Sequence, residues 1–135
     1  DAPIEVIVVD NASPAPPHDV VAGFPGVRQL MEPVPGPGLA RNTGAAAASG
    51  AILVFIDADC RAQPGWLAAA IAAARARGPA GAVGGDISIE PLDPDQPTAI
   101  ECYESLFGFR QKRYIHQNRF SCRANLAMHR DVLAR

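Results

Sequence analysis

Two short runs constrain this chain more than anything else in it. IEVIVVD (4–10) and ILVFID (52–57) carry apolar side chains on both faces, and each ends in an aspartate. A strand apolar on both faces must be covered on both faces, which predicts helices on either side of a mainly parallel sheet. Helical segments lie where that architecture needs them. Residues 39–49 are Ala-rich and close at Gly50. Residues 66–77 place Leu67, Ala70, Ile71 and Ala74 on one face and stop at Gly78-Pro79. A third, longer helix is expected over 98–117, with aromatics along one side. Further strands are expected over VRQLM (27–31), AVGGDISI (82–89) and FSCRANLAMHR (120–130). The proline-rich stretches SPAPPHD (13–19), EPVPGPG (32–38) and PLDPDQP (91–97) read as loops.

Composition narrows the function classes. Hydrophobic residues make up 48% and charged residues 19% of 135, enough apolar side chains to bury a core in one α/β domain. A formal net charge of −2 leaves no basic footprint for nucleic acid. No run approaches the roughly 18 to 20 apolar residues of a bilayer span, and no signal peptide is visible at the N-terminus. Cys60, Cys102 and Cys122 have no CxxC spacing and are too few for a disulfide framework. They read as free thiols of a reducing compartment, which places the protein in the cytoplasm or at the cytoplasmic face of a membrane.

The chemistry collects at the ends of the strands. In open parallel sheets ligands bind outside the carboxyl edge, where Asp10, Asp57 and Asp59 are expected. Two ionised carboxylates about 4 Å apart repel by about 4 kcal/mol at an effective dielectric near 20, so protonation, an arginine or a cation must compensate. Residues 57 and 59 of an extended strand point the same way, so they could share one hard divalent ion with a substrate phosphate. DxD alone is a common triplet, and a turn cap beside a solvated acid explains it equally well. A dinucleotide-binding or flavodoxin-like domain is disfavoured, because Asp10-Asn11-Ala12-Ser13 is not the Gly-rich turn such a fold needs after its first strand.

The run GPGLARNTGAAAASGAILVFIDADCRAQPGWL resembles the core signature of the family 2 glycosyltransferases of GT-A fold. In it a Gly-x-x-x-Ala-Arg-Asn-x-Gly helix precedes the strand ending in DxD, and a Pro-x-Trp-Leu segment follows. Here those are Gly36 or Gly38 through Ala40-Arg41-Asn42-Thr43-Gly44, then Asp57-Ala58-Asp59, then Pro64-Gly65-Trp66-Leu67. IEVIVVDNAS, VGGDISI and ANLAMHRDVL match flanking segments, so the resemblance spans residues 1–135. It implies a GT-A, Rossmann-like sandwich and an inverting, metal-dependent transfer from a nucleoside diphosphate sugar, commonly a UDP-sugar. The acceptor, whether glycan, lipid or small molecule, stays open, as does membrane association of a longer parent protein. By the resemblance, Asp10 would accept from the imide N–H of the base. Arg41 would reach the base or diphosphate, or else pair with a strand-end acid. Asp57 would contact ribose or metal, Asp59 would ligate Mn²⁺ or Mg²⁺, and Asp86 would touch substrate. Trp66 is read as a core aromatic anchoring its helix, and His116 and His129 as hydrogen-bonding side chains without metal-ligand spacing.

Two departures qualify the resemblance. The family's first strand, which lies between the strands matched by 4–10 and 52–57, is missing, so the sequence is expected to be a piece of a longer protein, truncated at both ends relative to the family domain. Inverting members carry the catalytic base in a Glu-Asp motif downstream of an Asn-x-Ala-x-x-Arg segment. That segment is here Asn125-Leu126-Ala127-Met128-His129-Arg130, and no Glu-Asp dipeptide occurs in the sequence. The base is therefore expected beyond Arg135, and this chain alone is expected to bind a nucleotide sugar without turnover. The alternative is a non-catalytic nucleotide-sugar-binding module.

Overall fold

The computed structural model describes residues 3–118 and 120–133, which divide into two compact units, Asp1–Leu53 and Val54–Arg135. The first unit holds β1 (Val6–Asp10), α1 (His18–Ala22), β2 (Val27–Met31) and α2 (Pro37–Ala47). β1 and β2 are parallel, in register from Val6 opposite Val27 to Asp10 opposite Met31. The ladder runs one bond further, from Glu32 N to Asp10 O at 2.8 Å.

α2 lies against β1, and its close approach depends on Gly44, where an added Cβ would stand 3.1 Å from Val9 Cγ2. The helix starts at Pro37, whose fixed φ suits a first turn, after Gly36 at φ 149°. It ends at Ala47 rather than at Ser49 as the sequence suggested. The reason is Glu5, whose Oε1 accepts from Ser49 N at 2.5 Å, Ser49 Oγ at 2.6 Å and Gly50 N at 3.0 Å. Those donors hold the Glu5 carboxyl down at about 2, and they draw the chain out of the helix towards β3.

β3 (Ile52–Ile56) runs from the first unit into the second, which continues with α3 (Trp66–Arg77), β4 (Ala82–Gly84), α4 (Ala99–Phe107), α5 (Gln111–Arg113) and β5 (Asn125–His129). The strand order is β3-β5-β4, with β4 and β5 antiparallel and Ala82 opposite Met128. α3 packs on β4 and β5, burying Ala74 over a core that includes Ala127 and Met128. The face read from the sequence (Leu67, Ala70, Ile71, Ala74) is the inward one.

The expected single, mainly parallel sheet is corrected to a mixed α/β arrangement with two small sheets. β1 spends its ladder on β2, whereas β3 pairs with β5, and β5 with β4 runs antiparallel. The strand expected over 82–89 stops at Gly84, with one further backbone bond from Gly85 N to Asn125 O at 3.0 Å. The helix expected over 98–117 ends at Phe107: Gly108 is extended and Phe109 is left-handed at φ 43°. Only α5 and a π-turn (Tyr114–Asn118) follow. The strand expected over 120–130 is formed only at Asn125–His129. The residues before it are held by Gln111, whose Oε1 accepts from Cys122 N at 2.9 Å. The loop expected over 13–19 is also shortened, as α1 begins at His18, just after Pro17.

Candidate functional site

Asp10 closes β1 and is only 4% exposed. Its Oδ1 accepts from Ser13 N at 3.2 Å, which folds the chain over the strand end. Its Oδ2 is buried and finds no hydrogen-bond partner among the described residues. A buried carboxylate oxygen is ordinarily satisfied, and leaving one bare costs about 1–3 kcal/mol or more. Asp10 therefore offers an acceptor that protein donors have left open.

The neighbouring Asn11, which sequence reasoning missed, fixes the path from β1 to α2. Its Nδ2 donates to Glu32 O at 3.0 Å and Val34 O at 2.7 Å, and its Oδ1 accepts from Gly36 N at 2.7 Å. Glu32 adds a second clasp by accepting from Thr43 Oγ1 at 2.6 Å and Val34 N at 3.0 Å, bonds that lower its pKa. Together they set the start of α2, on whose second turn Arg41 sits, its Nη1 donating to Pro37 O at 3.2 Å. The only sequence signal for Asn11 was its place after a strand-end acid, which many turn asparagines share.

In the second unit, β3 ends at Ile56, and 57–60 form a turn closed by Cys60 N donating to Asp57 O at 3.0 Å. Asp57 and Asp59 are thus not two residues of an extended strand. The expectation that strand geometry alone aims both carboxylates the same way is corrected to a turn, with Asp57 half-buried and Asp59 exposed. Cys60 Sγ lies 3.7 Å from Asp59 Oδ1, and burial first, then the Asp59 charge, raises the thiol's pKa and keeps it protonated. Among the described residues no three His, Cys, Asp or Glu side chains are grouped to hold a metal by themselves. The donor set that remains, two hard carboxylates on one short turn, suits a divalent ion that completes its shell with phosphate oxygens and water.

Asp86 and Trp66 meet at a cavity of about 490 Å³ between α3 and the β4–β5 pair. Small side chains (Ala69, Ala70, Ala73) and Gly85 open it, and Trp66, Asp86 and Asn125 supply its polar rim. Asn125 joins the walls: its Oδ1 accepts from Trp66 Nε1 at 2.9 Å and its Nδ2 donates to Asp86 O at 2.8 Å. Trp66 is therefore both the helix anchor expected and a wall of the cavity. Gly85 is required, since a Cβ there would stand 2.6 Å from Asn125 Oδ1. Of Asp10, Arg41, Asp57, Asp59 and Asp86, Asp86 lines this cavity. Asp10 and Arg41 lie in the first unit, Asp57 and Asp59 in the second. His129 has the hydrogen-bonding role read for it, with its Nδ1 3.3 Å from Asp131 Oδ2, and His116 is exposed in the π-turn.

The profile of glycosyl transferase family 2 matches residues 1–135, and the chain belongs to that family. It is also similar to a protein named glycosyltransferase AglE from Haloferax volcanii, 32% identical over 134 residues. The match covers 96% of this chain and 43% of that protein, so the chain spans less than half the length of this relative. No solved structure matches it.

Proposed function

We propose that this chain supplies the donor-binding part of an inverting glycosyltransferase that uses a nucleoside diphosphate sugar, with a UDP-sugar the favoured donor. The observation that carries the reading is Asp10 Oδ2, a buried oxygen awaiting a donor, at the position where the family pattern puts the acceptor for the base imide N–H. Arg41 neutralises the diphosphate or meets the base, Asp57 takes the ribose or the metal, and Asp59 ligates Mn²⁺ or Mg²⁺. The ion offsets negative charge gathering on the departing nucleoside diphosphate. Asp86, on the rim of the α3–β4–β5 cavity, is assigned to the transferred sugar or the acceptor. The parent protein acts in the cytoplasm or at the cytoplasmic face of a membrane. Binding rather than turnover is the expected behaviour of these residues, because the sequence contains no Glu-Asp dipeptide to deprotonate an acceptor.

The test is calorimetric titration of UDP into the folded chain with Mn²⁺ and again with EDTA. Metal-dependent binding lost in Asp59→Asn, and metal-independent weakening in Asp10→Asn, support the assignment. Binding that keeps the same metal dependence in Asp59→Asn removes the metal role of that residue. Binding untouched by Asp10→Asn removes the base contact.

A further inference from the structure

α4 is amphipathic in the reverse sense for a surface helix. Its apolar side chains point outward: Ile100 is 74% exposed, Leu106 66% and Tyr103 61%, with Phe107 beside them. Ile100, Tyr103 and Phe107, spaced i, i+3 and i+7, share one face, and Leu106 borders it. The two acids of the helix, Glu101 and Glu104, are half-buried, Glu104 lying one turn on from Ile100 at the border of the arc. Glu101 is fully engaged there, its Oε1 accepting from Leu92 N at 2.9 Å and its Oε2 from Thr98 N and Thr98 Oγ1, both at 2.7 Å. Normal burial would have turned this helix over. The capping box ties up the Glu101 carboxylate, and the apolar arc faces solvent.

Three cations follow that arc in the chain. Arg110, Lys112 and Arg113 are exposed, and no acid pairs with them among the described residues. Arg110 is held flat against the apolar face, its guanidinium carbon 4.9 Å from the centre of the Phe107 ring and its Nη2 donating to Leu106 O at 2.9 Å. Phe109, forced to φ 43°, adds another part-exposed aromatic between the helix and the cations. Outward aromatics and aliphatics, followed by three exposed cations that no acid pairs among the described residues, match a flat partner that is apolar inside and anionic at its surface.

We infer that α4 and the following residues 108–113 form a docking surface for an anionic phospholipid bilayer, with Ile100, Tyr103, Leu106 and Phe107 entering the interface and Arg110, Lys112 and Arg113 meeting lipid phosphates. This surface is separate from the residues assigned to the donor, and its test involves no nucleotide.

The experiment is co-sedimentation of the full chain with vesicles of phosphatidylcholine alone and of phosphatidylcholine with phosphatidylserine, at low and high salt. The chain is expected to partition onto the anionic vesicles, and salt should weaken the binding. Lys112→Glu with Arg113→Glu should lower the partition by about tenfold or more, and Ile100→Ser with Leu106→Ser should abolish it. All four side chains are exposed, so circular dichroism should show both variants folded; the charge variant decides alone if the apolar one is not. Equal partition onto neutral and anionic vesicles overturns the inference, as does a charge variant that binds like the parent chain. Concentration-dependent dimers that disappear in the Ile100→Ser, Leu106→Ser variant would also overturn it, because the face would then be covered by a second copy.

Discussion

Asn125 is the side chain on which the cavity wall turns, and its removal has a magnitude that can be worked out beforehand. Asn125→Ala deletes the acceptor of Trp66 Nε1 and the donor to Asp86 O. A net intramolecular hydrogen bond contributes about 0.5–1.5 kcal/mol. The Trp66 bond is part-buried and belongs in the upper half of that range, whereas the Asp86 bond is exposed and water can replace much of it. The expected loss is about 1.5–2 kcal/mol, confined to the second unit. Trp66 is the sole tryptophan, so urea unfolding followed by its emission reads that unit directly. The stricter assay is a double-mutant cycle of Asn125→Ala and Trp66→Phe, followed by circular dichroism because Trp66→Phe removes the fluorophore. A coupling near 1 kcal/mol is expected for the direct bond. A coupling below about 0.3 kcal/mol would refute the claim that this bond joins α3 to the strands.

Gly84→Ala should destabilise the same unit by about 1–3 kcal/mol, because its Cβ would collide with Ser121 Oγ and stand 2.9 Å from Ile115 Cδ1; the Trp66 urea midpoint checks it. Glu5→Gln tests the clasp at Ser49 and Gly50. The folded pKa near 2 lies below the ordinary 4.5, so the carboxylate's stabilisation is fully present above 4.5 and disappears as pH falls towards 2. The melting temperatures of Glu5→Gln and the parent chain should therefore differ at neutral pH and converge in acid. Thr98→Ala removes the capping box of α4 and about 1 kcal/mol of that helix's local stability. It should speed hydrogen exchange at the Glu101 amide while leaving the Trp66 urea midpoint unchanged.

Local periodicity carried much of the architecture. α3 falls at 66–77 and β2 at 27–31, where they were expected; for α3 the reason is plain, because an Ala-rich stretch ending in Gly-Pro leaves the backbone little choice. The misreadings came from side chains acting over distance. Nothing near residue 49 announces that Glu5 will take its amide 44 positions away. FGFRQKRY holds Gly108, where the helix does end, but nothing in it announces that Gln111 will turn inward. Sheet partnership was equally hidden, since β3 and β5 look like any two apolar strands until the ladder is seen. At the candidate site the residue types were legible and their settings were not. Asp57 and Asp59 read as acids at a strand end, yet the turn at 57–60 appears only in the bond from Cys60 N to Asp57 O. That Asp10 would keep a bare oxygen follows from what surrounds it in space, which no spacing encodes.

The largest fully buried side chain among the described residues is an amide, Gln111, whose Nε2 shares its two N–H among Gly85 O, Ser121 Oγ and Cys122 O, each at 3.3 Å, while its Oε1 accepts from Cys122 N. Such a cluster has no half-open form: withdrawing the amide exposes every one of these groups at once. Gln111 and the groups it bonds at Gly85, Ser121 and Cys122 should therefore open as a single cooperative unit, all together or not at all. In hydrogen exchange the Cys122 amide would share one opening rate with its neighbours instead of fraying residue by residue. The timing of any rearrangement beside the cavity would then be set by one buried glutamine letting go.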